Sequence, residues 1–111
     1  PMHFEQYSVS EAAWGRIKKA KHVTAVGTTS CRVIESICNG FGLRDNTNLF
    51  IYPGYTFNRV DSLITNFHLP YSTLLMLVYA LGGPTLMKKA YKEAVKNEYR
   101  FYSYGDGMII L

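Results

Sequence analysis

The sequence predicts an α/β fold, a layered sandwich with a largely parallel sheet flanked by helices. Apolar runs of strand length alternate with stretches at helical spacing, the pattern that builds βαβ units. The most apolar stretch, residues 73–81, is too short to cross a bilayer and is predicted to be a helix buried against that sheet. At 111 residues the chain can close one core but not two, so residues 1–111 are expected to form a single α/β domain.

Each element has a local reason. Residues 3–9 set Phe4, Tyr7 and Val9 among Glu5, Gln6 and Ser8, the alternation of a strand. Ser10 stands where a helix cap belongs, and Glu11 follows in the first turn, where the helix dipole favours an acid. Ala13, Ile17 and Ala20 share one face of that helix while Arg16, Lys18, Lys19 and Lys21 take the rest, so it reads as a surface helix. Residues 22–26 form a short apolar run ending at Gly27, and Arg32, Val33, Ile34 and Ile37 continue at helical spacing. Asn39 and Gly40 close the helix, and residues 42–48 read as an exposed loop.

Extended chain is expected over residues 49–57, with a turn at Pro53-Gly54, and residues 60–67 read as a strand carrying Leu63, Ile64 and Phe67. Gly82-Gly83-Pro84 ends the buried helix. A longer helix begins at Thr85, with Met87, Ala90, Tyr91, Ala94, Val95 and Tyr99 inward and Lys88, Lys89, Lys92 and Lys96 outward. A turn at Gly105-Asp106-Gly107 leads into a last strand at residues 108–111.

Hydrophobic residues make up 48% of the chain, enough apolar surface to offset chain entropy, which excludes a disordered segment. Charged residues reach only 18% while aromatics reach 14%, nine of them Tyr, so part of a Tyr-rich surface is expected to be covered by ligand, partner or further chain. A net charge of +4 is compatible with a polyanionic partner without requiring one. Cys31 and Cys38 fall two helical turns apart, about 10 Å by helical rise, beyond the reach of a disulfide. Free thiols with no signal sequence or membrane span point to a soluble protein of the cytoplasm. The chain opens on Pro1 and not on an initiator Met, as expected of a processed chain or a piece of a longer one.

Several places can carry chemistry. Ala25-Val26-Gly27-Thr28-Thr29-Ser30 puts a glycine and three hydroxyls between a strand's carboxyl end and a helix's start, where backbone N–H groups collect anions and ligands. The same hydroxyls can equally form a plain helix cap. Arg32, one turn on, can reach a carboxylate or phosphate there, or simply pair with Glu35. Asn66 and His68 follow an apolar strand at what is the ligand edge of an open α/β sheet, where an amide and an imidazole can hold and deprotonate a substrate, although a lone His is more often structural. Asp61 and Asp106 sit at element boundaries and can cap turns. Tyr52-Pro53-Gly54-Tyr55 can stack on a base or pack beside a turn, and the Lys88, Lys89, Lys92, Lys96 stripe reads first as a solvated helix face, interrupted by Glu93. No metal-ligand spacing and no G-x-S-x-G elbow occurs.

Longer strings carry a resemblance. Ile51-Tyr52-Pro53-Gly54-Tyr55-Thr56-Phe57, then Val60-Asp61, then Leu63-Ile64-Thr65-Asn66-Phe67-His68-Leu69-Pro70 and Ser72-Thr73-Leu74-Leu75-Met76-Leu77-Val78 closely resemble the S-adenosylmethionine:tRNA ribosyltransferase-isomerase family of queuosine biosynthesis. Met2-His3 with Glu5 and Tyr7, the loop over residues 25–30 with Arg32, and Tyr99-Arg100-Phe101 with Ser103-Tyr104-Gly105-Asp106 match as well, so the likeness runs over residues 2–111.

The resemblance implies transfer and isomerisation of the ribosyl part of S-adenosylmethionine onto 7-aminomethyl-7-deazaguanine at the tRNA wobble position, giving epoxyqueuosine and releasing adenine and methionine. The sulfonium acidifies the neighbouring ribose C–H, so a positioned base can start the reaction with no metal or cofactor, S-adenosylmethionine being a co-substrate. His68 is the expected base and Asp106 the second candidate. Thr28, Thr29, Ser30 and Arg32 are expected to bind ribose hydroxyls or the methionine carboxylate, Asn66 to orient the substrate, and Tyr52 and Tyr55 to contact it. Gly107 stands where the family usually has Ala, and Cys31 where Val is common. Members of the family are longer, with an N-terminal portion that includes an inserted β-barrel, so the resemblance covers roughly the last third and implies a site that this chain builds only in part.

Overall fold

The computed structural model describes residues 5–66, 73–97 and 107–111. The elements in chain order are β1 (Glu5–Ser8), α1 (Glu11–Lys19), β2 (Thr24–Val26), α2 (Thr28–Cys38), β3 (Arg44–Thr47), β4 (Ser62–Asn66), α3 (Thr73–Gly82), α4 (Pro84–Lys96) and β5 (Gly107–Ile110). The Ser10 side chain accepts from the Ala13 N–H at 3.1 Å, which caps α1, and α1 buries none of its residues. The Tyr52 carbonyl accepts from the Tyr55 N–H at 3.0 Å across Pro53 and Gly54, and Gly54 has φ +103°, the type II turn that a Pro-Gly pair favours.

The sheet corrects the expectation of largely parallel strands. β2 and β4 run parallel, but β4 and β5 run antiparallel, so the three-stranded sheet β2-β4-β5 is mixed. A last strand of four residues contributes no directional signal of its own, and its direction follows from where the chain re-enters the sheet. A second correction concerns residues 42–48. Arg44–Thr47 form β3, which pairs antiparallel with β1 in a separate ribbon, from Glu5 beside Thr47 to Ser8 beside Arg44. Its composition is polar because it is exposed except at Thr47, whose hydroxyl meets Ser36 inside the fold.

One face of the mixed sheet carries the core. Ala25, Leu63 and Ile110 are buried there with Cys31 of α2, Leu75 and Val78 of α3, and Met87, Tyr91 and Ala94 of α4. The strands alternate, so the residues between these point the other way. Val26, Ile64 and Ile109 stand side by side in register on that opposite face, at 67%, 40% and 56% exposure. The helices α2, α3 and α4 therefore cover one face, not two, among the described residues. Val95, expected inward, is 66% exposed.

A buried carboxylate joins α2 to the segment that leads into β4. Glu35 has no exposed surface. Its Oε1 accepts from the Asn58 N–H at 2.8 Å and from the Tyr55 hydroxyl at 2.8 Å. Its Oε2 accepts from the N–H groups of Arg59 at 2.9 Å and Val60 at 3.0 Å. Three consecutive peptide donors converging on one carboxylate make a nest, in which a buried charge is tolerated because it is fully hydrogen-bonded. Just beyond, Asp61 accepts from the Val23 N–H at 2.8 Å, tying the start of β4 to the start of β2. The Arg59 side chain donates to the carbonyls of Ile17 and Ala20, so the same segment also closes the end of α1.

Glu35→Ala strands these donors. At about 1–3 kcal/mol for each buried group left without a partner, urea denaturation is expected to show a loss of about 3 kcal/mol or more, with Glu35→Gln less damaging because it keeps one acceptor oxygen. Burial, reinforced by the nearby Glu35 charge, raises the Cys31 thiol from 9.0 to about 12. Above pH 9 the unfolded chain releases this proton while the folded chain keeps it, so stability falls as pH rises from 9 towards 12. Tyr55, raised from 10.0 to about 12 by burial and then by its bond to Glu35, adds to the fall only above pH 10. Cys31→Val is expected to flatten the stability–pH curve most between pH 9 and pH 10, read from denaturation midpoints in that window.

Candidate functional site

A cavity of about 620 Å³ opens at the carboxyl ends of β2 and β4. The β2–α2 junction lines it with Val26, Gly27, Thr28 and Thr29. β4 contributes Ile64, Thr65 and Asn66, and β5 contributes Gly107, Met108 and Ile109. The apolar row of the open sheet face is thus its floor, and the polar groups stand at its rim.

The β2–α2 junction has its shape because of Gly27. Its φ of 93° and ψ of 149° lie in a region essentially reserved for glycine, and its N–H donates to the Ile64 carbonyl at 2.8 Å, pinning the turn to β4. α2 starts immediately afterwards, with no side-chain cap. The hydroxyls at residues 28–30 therefore do not form the plain cap that the sequence also allowed. The first-turn N–H groups and the positive end of the α2 dipole instead face the cavity side, an environment suited to a carboxylate or to ribose hydroxyls.

The structure divides the residues singled out from the sequence. Thr28, Thr29 and Asn66 come together around the cavity. Ser30 lies on another side of α2, in a smaller cleft of about 310 Å³ with Tyr7 and Ile17. Arg32 is buried and forms an ion pair with Glu5, not with Glu35. The Thr29 hydroxyl donates to the other oxygen of Glu5 at 3.1 Å, so Glu5 braces the cavity turn from behind. Tyr55 stands near the opposite end of α2, where its hydroxyl meets Glu35 and accepts from the Asn39 side chain at 2.8 Å. Tyr52 is 56% exposed, with its ring beside Phe50 and away from the cavity lining. His68, Asp106 and Tyr104 lie outside the described residues. Glu5 and Glu35 carry no functional signal in the sequence pattern, because an acid in a short strand and an acid within a helix both look like solvated positions.

Among the described residues no group of three or more His, Cys, Asp or Glu side chains is placed to hold a metal ion. Among them, too, no helix is long and apolar enough to cross a membrane.

The family model described as "Queuosine biosynthesis protein" matches residues 1–110. The chain belongs to this family. It is 55% identical over 117 residues to the S-adenosylmethionine:tRNA ribosyltransferase-isomerase of Clostridioides difficile, across 98% of this chain and 34% of that protein. The protein of the same name from Rubrobacter xylanophilus is 49% identical over 110 residues, across 99% of this chain and 33% of its own length. The crystal structure of S-adenosylmethionine tRNA ribosyltransferase from Thermotoga maritima matches with a TM-score of 0.85 and 43% identity, over 97% of this chain and 40% of that one. The chain therefore spans about a third of the length of the curated relatives it matches.

The Gly27 backbone gives a direct test of the cavity turn. A Cβ at this position meets no atom within 4 Å, so Gly27→Ala probes backbone strain alone. A cost of about 1–3 kcal/mol in chemical denaturation is expected. A neutral result would show that the turn does not need this conformation.

Proposed function

We propose that this chain builds the α/β wall of the active site of an S-adenosylmethionine:tRNA ribosyltransferase-isomerase. The observation that carries the reading is the cavity itself, which joins the Thr28–Thr29 turn and Asn66 over an apolar floor at the sheet's carboxyl edge. The reaction moves the ribosyl group of S-adenosylmethionine onto 7-aminomethyl-7-deazaguanine at the tRNA wobble position, isomerising it to the epoxyqueuosine product as adenine and methionine leave. Val26, Ile64 and Ile109 offer a flat apolar surface to adenine. The N–H groups at the start of α2 and the Thr28 hydroxyl receive ribose hydroxyls or the methionine carboxylate, the Thr29 hydroxyl, its proton given to Glu5, accepts from a ribose hydroxyl, and Asn66 orients the reacting sugar. Arg32, engaged with Glu5, holds the turn in place. Its partner role differs from the direct substrate contact expected from sequence.

His68 is assigned as the base that removes the ribose proton made acidic by the sulfonium, with Asp106 as the second candidate. Two peptide bonds separate His68 from Asn66 and one separates Asp106 from Gly107, and Asn66 and Gly107 are register partners at the cavity edge. The chemistry is assigned no metal and no cofactor, and its place is the cytoplasm, with tRNA. The exposed row of the sheet and the relatives' threefold greater length together support a site whose other walls come from the rest of a full-length family protein.

The test mixes S-adenosylmethionine with tRNA carrying the precursor base and measures adenine release by a full-length enzyme containing this chain. Release is expected, and His68→Ala is expected to lower turnover roughly 100-fold or more and remove a limb of the pH profile. Unchanged turnover and pH profile would reject His68 as the base. No release from the full-length form would leave a noncatalytic RNA-binding or scaffold module, and release from the 111-residue chain alone would refute a shared site.

A further inference from the structure

A second surface lies on the far side of the core, between α3 and α4. Lys88, Lys92 and Lys96 border a groove of about 530 Å³ there, whose floor includes Tyr79, Tyr91 and Val95. The three lysines occupy one i, i+4, i+8 ridge of α4, each step advancing about 6 Å along the helix. They edge a concavity and so act together on whatever enters it, which separates them from an ordinary solvated helix face. Among the described residues no carboxylate pairs with any of the three. Glu93, the acid on α4, accepts from the Asn97 side chain on the adjoining face.

We propose that this groove is a docking surface for the phosphodiester backbone of the substrate tRNA, separate from the cavity that receives its base. The proposal rests on the tRNA reading given above and adds to it the surface that grips the RNA. Charge complementarity carries it, since phosphate contacts from a lysine row position a nucleic acid without reading its sequence. An acidic amphipathic helix is a poorer match for the floor. Leu75 and Tyr91 are already buried, and Val95 is the only strongly exposed apolar side chain that the described residues place in the groove.

The experiment measures binding of a fluorescently labelled anticodon stem-loop RNA to this chain by anisotropy, between about 50 and 200 mM salt. K88Q/K92Q/K96Q is compared with the charge-matched K18Q/K19Q/K21Q on α1, and circular dichroism melts check that both remain folded. At roughly 0.7–0.9 per phosphate contact, the α4 variant is expected to lower the slope of log affinity against log salt by about two to three, while the α1 variant leaves it unchanged. An unchanged slope in the α4 variant overturns the proposal, and so does an equal fall in both, which would mean diffuse attraction only. RNA binding that ignores the lysines while a Glu-rich amphipathic peptide depends on them overturns it in favour of a protein partner. Adenine release by the full-length enzyme is read separately, so a failed docking surface and a failed catalytic reading give different results.

Discussion

The Glu35 carboxylate is the contact on which the arrangement of this chain turns. It gathers the N–H groups of Asn58, Arg59 and Val60 and the Tyr55 hydroxyl onto the side of α2. Those residues precede β4, so the carboxylate determines where β4 starts relative to the helix that follows β2. Parallel pairing of β2 with β4 requires α2 and the returning chain to be held together over a long crossover. One buried acid supplies the polar part of that restraint, and the buried Ile51, Val60 and Leu63 of the core supply the apolar part. Arg59 extends the joint outward to the last carbonyls of α1, so that helices α1 and α2 and strand β4 all meet at one short segment.

The cavity lies at the other end of the same helix. The C-terminal half of α2 carries the Glu35 contact, while its first turn forms the cavity rim, at a distance set by an 11-residue helix. A rigid helix can therefore transmit the position of a structural clamp to the turn that lines the cavity. The Glu5 bridge to Arg32 and Thr29 performs a similar service from the β1 ribbon. Among the described residues the buried polar groups support the cavity turn more than they line it, which leaves the cavity with hydroxyls, an amide, peptide N–H groups and an apolar floor.

The sheet explains the unusual composition only in part. Tyr52 is exposed as a covered surface would require, but Tyr55 is used internally as a hydrogen-bond partner of Glu35 and Asn39. The uncovered apolar area lies more clearly in Val26, Ile64 and Ile109, a row visible only once strand register is known. Among the described residues this row, not an aromatic surface, is the clearest apolar area of the sheet left uncovered.

Local rules made most elements legible. Ser10 as a cap, Pro53-Gly54 as a turn, Gly27 between a strand and a helix, and a strand through Leu63 and Ile64 each depend on neighbours a few residues away, and each appears where the sequence places it. The meeting of Thr28, Thr29 and Asn66 was also foreseeable, because polar residues at strand carboxyl ends share an edge in any such sheet. Tertiary structure alone decided that β5 runs antiparallel, that the polar stretch Arg44–Thr47 is a strand, that Arg32 answers Glu5, and that Glu35 is buried. Each of these is a pairing between positions 20 or more residues apart, or depends on one. Side-chain periodicity records which face of an element is apolar, but not which distant partner will satisfy a charge or a backbone edge.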